Sequence, residues 1–210
     1  MRKALAVFAV LVVALGSSAF AGSYTLVNTY SGWYDGGGNH SNANTNYISG
    51  YTNQFNDFFI FNLAGVSGTV TSASFTVNTY SVTAPGTYTV YATNLPPAVA
   101  NDCTSCMATY NALTSGAAIG SIGLDSTFSN TYVTLSFNTA GLSWLQANEG
   151  GKVVLGGSFP ATGGNYAFGF SGFDGGNQLA VNTVPEPGTL VMFGSGLLGL
   201  AGIARRKFGL

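Results

Sequence analysis

Eight runs rich in β-branched and aromatic residues, most of them closed by glycine, proline or asparagine, constrain this chain more than any other feature. They are Ser23–Tyr30, Asp57–Asn62, Thr69–Val82, Thr87–Thr93, Thr131–Asn138, Lys152–Phe159, Tyr166–Ser171 and Gln178–Thr183. In TYVTLSFN, the residues Val133, Leu135 and Phe137 recur at every second position and so share one face of a strand. Ala84-Pro85-Gly86 and Gly175-Gly176-Asn177 supply turn chemistry between runs. Many short strands with few helices predict an all-β fold, an antiparallel sandwich or barrel, with the antiparallel β-sandwich the reading taken. One stretch breaks the pattern. Thr139–Asn148 (TAGLSWLQAN) sets Leu142, Trp144 and Leu145 at helical spacing ahead of Gly150-Gly151, which predicts a short helix with its leucines in the core.

The β-rich interval, residues 22–183, has the length of one domain with a sizeable core. Its charge is unusual. Lys152 is the single Lys or Arg between residues 22 and 184, against Asp35, Asp57, Asp102, Asp125, Glu149 and Asp174. A chain without a basic patch is a poor partner for nucleic acid or anionic lipid. Its polar surface must come from Asn, Ser, Thr and Gly, which hydrogen-bond sugars well and leave little for ion pairs to stabilise.

Cys103 and Cys106 are the two cysteines, in Asp102-Cys103-Thr104-Ser105-Cys106. Next to a βαβ pattern, C-x-x-C would read as a redox site. Here Leu-Pro-Pro precedes it and Met-Ala-Thr follows, so a structural disulfide pinning one loop is expected wherever the compartment is oxidising. His40 is the one histidine and lies far away in sequence, so no metal site and no cofactor are expected.

Catalysis finds little support in these residues. No G-x-S-x-G elbow precedes a helix, and no serine is tied to His40. Paired carboxylates for glycoside hydrolysis need two acids roughly 5–10 Å apart, whereas Asp35, Asp57, Asp102 and Asp125 stand alone and read as solvated turn residues. No catalytic residue is predicted, and the chain is expected not to be an enzyme. Binding is better supported. Tyr30–Phe59 reads as a long, Gly-rich connection holding Trp33, Tyr34, Tyr47 and Tyr51 amid Asn, Gly, Ser and Thr. Aromatic rings beside short amides suit stacking on pyranose rings, so those four are the candidate carbohydrate contacts. Packing under the loop is the structural alternative. Ca²⁺ at Asp35 is a weaker reading, because no EF-hand spacing supports it.

The two ends have their own grammar. Met1, Arg2 and Lys3 precede an apolar run from Ala4 to Leu15 and then Ala19-Phe20-Ala21, the parts of a secretory signal peptide at residues 1–21. Such a leader implies the Sec translocon and signal peptidase as partners, with cleavage after Ala21. At the other end, residues 189–204 are uncharged and are followed by Arg205, Arg206 and Lys207. A single transmembrane helix is expected there, although sixteen residues give only about 24 Å against a core of about 30 Å. The basic residues would act as the stop-transfer cluster. Pro185 and Pro187 hold Val184-Pro185-Glu186-Pro187 extended ahead of it.

The order Pro185-Glu186-Pro187, short Gly-rich span, Arg205-Arg206-Lys207 resembles the PEP-CTERM sorting signal of Gram-negative bacteria, over residues 184–210. That resemblance implies a temporary address handled by exosortase, a membrane-embedded cysteine transpeptidase-like enzyme. Pro185, Glu186 and Pro187 would be the recognised motif. It further implies an inner-membrane intermediate, then release to the cell surface or the extracellular space, in organisms that make exopolysaccharide and biofilm matrix. A structural or adhesive role, or a carbohydrate-binding module acting on polysaccharide, would follow. A looser resemblance covers the middle. FFIFNLAGVSGTVTSASFTV and TYVTLSFNTAGLSWLQANEGGKVVLGGSF resemble the two halves of jelly-roll domains in bacterial surface proteins, roughly over residues 55–82 and 131–172.

Overall fold

The computed structural model describes residues 22–170, 176–185 and 187–208. The expected signal peptide, residues 1–21, lies outside the described residues, as do Ser171 and Glu186. The described residues form antiparallel sheets with a few short helices, the class expected from the alternating runs.

One sheet contains β1 (Gly22–Val27), β5 (Thr69–Thr79), β9 (Thr131–Ser136) and β12 (Gln178–Val184), in the order β1-β12-β5-β9. A second contains β2 (Tyr30–Tyr34), β4 (Asn56–Asn62), β7 (Gly86–Ala92), β8 (Ala118–Leu124) and β10 (Lys152–Ser158), in the order β2-β4-β10-β7-β8. A small third sheet joins β3 (Tyr47–Gly50), β6 (Ser81–Val82) and β11 (Tyr166–Gly169) in the order β3-β11-β6.

The first two sheets share one core. Phe75, Val77, Val133, Leu135, Leu179 and Val181 from the first meet Phe59, Phe61, Val90, Val153 and Leu155 from the second. Aromatic contacts tie the layers together, Phe59 to Phe75 at 4.9 Å and Phe61 to Phe75 at 5.9 Å between ring centres. Burying each such side chain contributes about 1.5–3 kcal/mol. With almost no ion pairs available, the core has to carry the fold.

The second sheet is covered on its outer face as well. Phe58, Ile60 and Val154 point away from the main core and pack with Tyr34, Ala100 and Leu113. Ala100 and Leu113 come from α1 (Pro97–Asp102) and α2 (Met107–Ser115), which lie on this face. A strand buried on both sides has no solvent face to make polar, which accounts for the unbroken DFFIF of β4. At Gly156 on β10 a side chain would overlap the backbone carbonyl of Leu113, so glycine lets α2 lie directly on the strand.

The expected helix is α3 (Thr139–Ala147). The side chain of Asn138 caps it by accepting from the Gly141 amide at 3.1 Å. Leu145 is buried, with Leu142 and Trp144 packed at the core edge. Gln146 reaches across to β5, its Oε1 accepting from the Val70 amide at 2.6 Å and its Nε2 donating to the Gly68 carbonyl at 3.2 Å.

The tail forms α4 (Pro187–Phe208), a 22-residue helix ending in Arg205, Arg206 and Lys207. Among the described residues, no helix is long and apolar enough to cross a membrane. This corrects the expected transmembrane segment at 189–204. The uncharged stretch is shorter than the roughly 20 apolar residues a span needs, and Gly194, Ser195, Gly196, Gly199 and Gly202 dilute it.

Candidate functional site

Two places carry the sequence features that point to function: the Gly-rich segment after β2, and the junction between β12 and the tail. The segment after β2 is more ordered than a long connection. Asp35 opens it with an Asx-type turn, its Oδ1 accepting from the Gly37 amide at 2.9 Å and the Asn39 amide at 2.8 Å. Asn39 Nδ2 donates to both Asp35 oxygens at 3.1 Å. The loop is then stitched to the cysteine segment. The Cys106 amide donates to the Gly38 carbonyl at 2.7 Å, the His40 amide donates to the Thr104 carbonyl at 3.2 Å, and Asn39 bridges Ser105. Gly38 has φ of 81° and lies against the Met107 backbone, so only glycine fits. Cys103 and Cys106 are joined to each other, with Cα atoms 5.9 Å apart, and close the segment that docks on this loop.

Tyr34 and Tyr47, read from the sequence as sugar contacts, are interior residues, and this corrects the expectation. Tyr34 is fully buried, and its hydroxyl reaches the carbonyls of Cys103 at 2.6 Å and Ala100 at 3.1 Å, holding the C-terminal end of α1. Tyr47 is buried in the main core, and its hydroxyl reaches the Asn78 carbonyl at 2.7 Å and Asn177 Oδ1 at 2.9 Å. His40 is also buried, its two ring nitrogens facing the carbonyls of Trp33 at 2.8 Å and Asn101 at 3.0 Å. Neither nitrogen faces a hydroxyl that it could activate.

The four acids weighed for catalysis, Asp35, Asp57, Asp102 and Asp125, are occupied as well. Asp125 accepts from the Thr127 hydroxyl at 2.5 Å and the Thr127 amide at 2.8 Å, capping a 3-10 turn, and those bonds, the hydroxyl's first, hold its carboxyl below the usual range. Asp102 accepts from Asn101 Nδ2 at 2.8 Å. Asp57 is no solvated turn residue. It is 2% exposed on β4 and takes a hydrogen bond from Tyr88 at 2.9 Å. Burial pushes its pKa up to about 7, against the opposing effect of that hydrogen bond. The cavity it borders is about 10 Å³, room for one water and no substrate. Among the described residues, no three His, Cys, Asp or Glu side chains gather to hold a metal ion.

Trp33 and Tyr51, the other two candidates, lie on a shared surface. The turn between β3 and β4 is closed by reciprocal bonds between Gly50 and Phe55 at 2.9 and 2.7 Å. Within it, Tyr51 and Gln54 adopt positive φ, 62° and 54°, a costly conformation for non-glycine residues. Tyr51 is 41% exposed and stacks beside Phe55 at 6.4 Å, with Tyr166 edge-on at 5.7 Å. Trp33 is half-buried and meets Phe55 edge-on at 5.2 Å. Beside this row opens a hollow of about 470 Å³ lined by Asp35, Gly36, Gly37, Thr52, Asn53 and Gln54. Neither Phe55, an aromatic of that same connection, nor Tyr166, on an expected strand, is among the four candidate contacts read from the sequence. Phe55 carries a signal, falling three residues before the aromatic run of β4.

At the second place, β1 and β12 pair antiparallel with Gly22 opposite Thr183. β12 ends at Val184, Pro185 follows at once, and α4 begins at Pro187. No linker separates the last strand from the Pro185–Pro187 motif. Along α4, Leu198 and Ile203 are exposed, as is the basic cluster at its end.

No curated protein matches this chain. Residues 183–207 match the PEP-CTERM protein-sorting motif, from the last two residues of β12 to the last of the three cations. The tail is therefore a PEP-CTERM sorting motif, the mark of an exported chain processed by exosortase.

Proposed function

We propose that this is a non-catalytic protein of the cell surface or extracellular matrix, structural or adhesive in role, delivered by a cleaved leader and a removable tail. The observation that carries it is the sorting motif at 183–207, which begins within β12, the last strand of the sheets. The domain is read as a jelly-roll sandwich. Its support is the strand order: without β2, the eight principal strands run β1-β12-β5-β9 and β4-β10-β7-β8, as a doubly wound Greek key requires. A structural rather than catalytic role is supported by Asp35, Asp57, Asp102, Asp125 and His40, each engaged with the chain's own amides, carbonyls or hydroxyls. Exopolysaccharide and biofilm matrix are the setting in which a nearly uncharged, Asn/Ser/Thr-covered surface is suited to work.

The test is the intact mass of the protein recovered from the surface and medium of its native host. A mass fitting residues 22 to roughly 185–187 supports both processing events. Replacing Pro185 and Pro187 by alanine should leave the chain cell-bound with Arg205–Lys207 attached. Full-length protein on the outside of the unmodified host would overturn the removable-tail reading.

A further inference from the structure

We propose that the turn Tyr51–Phe55, with Trp33, Tyr166 and the adjoining hollow, is a binding site for a neutral polysaccharide chain. It rests on the reading of this protein as an exported surface protein, and it replaces Tyr34 and Tyr47 as contacts with residues that solvent reaches.

Three observations converge there. The first is a row of rings, Tyr166, Tyr51, Phe55 and Trp33, with successive centres 5.2–6.4 Å apart and Tyr51 open to solvent. The near-parallel rings of Tyr51 and Phe55, 24° between planes, offer apolar faces to sugar C–H groups, with Tyr166 and Trp33 braced edge-on at 79° and 88°. The second is the hollow of about 470 Å³, within the usual range of about 300–1,000 Å³ for ligand clefts. Thr52, Asn53 and Gln54 are exposed on its rim, and their side chains make no hydrogen bond within the described chain. Their hydroxyl and amides are therefore free to bond sugar hydroxyls. The third is the backbone. A turn that keeps Tyr and Gln at positive φ, where glycine would sit without cost, retains two side chains at a conformational cost. Their outward display is a reason to retain them.

Charge selects the class of ligand. An acidic polysaccharide needs cations, and Lys152 is the single Lys or Arg between residues 22 and 184. The nearest carboxylate, Asp35, is bonded to the Gly37 and Asn39 amides of its own loop. A site of rings, amides and a hydroxyl without a cation favours an uncharged hexose polymer.

The experiment uses the protein as recovered from the host, in native gels cast with laminarin, hydroxyethyl cellulose or galactomannan, with alginate as the acidic comparison. At least one neutral polymer should retard the parent protein, and alginate should not. Tyr51→Gly removes the ring and relaxes φ, so the fold is retained while affinity falls about tenfold. Tyr51→Asn, which also tolerates positive φ, should lose the same amount. Asn53→Ala should weaken binding about threefold. No retardation by any neutral polymer, preference for alginate, or full binding by Tyr51→Gly would overturn the proposal. The assay is indifferent to how the protein left the cell, so its failure leaves the sorting reading intact, and a failed mass measurement leaves this site intact.

Discussion

Leu155 on β10 is wholly buried, whereas Ile203 on α4 is 64% exposed and Leu198 is 77% exposed. The β domain uses its apolar residues on itself, between the sheets and again beneath α1 and α2. The tail helix displays Leu198, Leu200 and Ile203. Among the described residues, neither core cluster takes a side chain from α4, the arrangement expected of a helix that serves as a label for another protein to read.

The hardest way to break this contrast is to open the domain. Gly156→Val forces α2 off β10 and should cost more than about 4 kcal/mol, or abolish folding. Loss of the cooperative transition in thermal circular dichroism is the readout.

A slightly smaller effect sits at Asp57. Its pKa is about 7 in the folded protein and near 4 when unfolded. Between those values the folded state holds more protons, so Asp57's contribution to stability is full below about pH 4 and is lost as pH rises to about 7. The loss across that window is roughly 4 kcal/mol. Asp57→Asn keeps an acceptor for Tyr88 and should flatten the pH dependence of Tm. A parent that gains stability between pH 4 and 7 would show that Asp57 is not buried as described.

Tyr34→Phe leaves the Cys103 and Ala100 carbonyls without a hydroxyl donor, and should cost about 1–2 kcal/mol in urea unfolding. The smallest effect sharpens the comparison from the other side. Leu198→Ser with Ile203→Ser should shift stability by less than about 0.5 kcal/mol, because nothing is uncovered. A Tm drop of many degrees would mean that α4 packs on the domain.

Period-two alternation made the core strands legible, as in Val133 and Leu135 of β9 and Leu179 and Val181 of β12. It failed in β8, where Gly120 and Gly123 interrupt the apolar positions and a bulge sits opposite Val90 and Tyr91. α1 and α2 were hidden by Asn, Thr and Ser, although Pro97 at the first helical position is a readable start signal. Those two helices explain the misplacement of Tyr34. YSGWY alternates like a strand, but the sequence does not show that its outer face is roofed by α1, which turns Tyr34 inward. Tyr47 was misread for a related reason, since β3 is four residues long in a segment that looks like a loop. The tail was legible because its three parts are contiguous and need no tertiary contact to be read.

The pairing of Gly22 with Thr183 has a mechanical consequence. The domain's first and last strands enter and leave at the same end of one hydrogen-bonded ladder. Tension applied through both ends would peel β1 from β12 rung by rung, the weakest loading geometry for a sheet, because the bonds yield singly. A pull through one end alone does not act across that ladder. While both ends are held, the fold hangs from its most easily unzipped seam, and releasing either one takes the load off it.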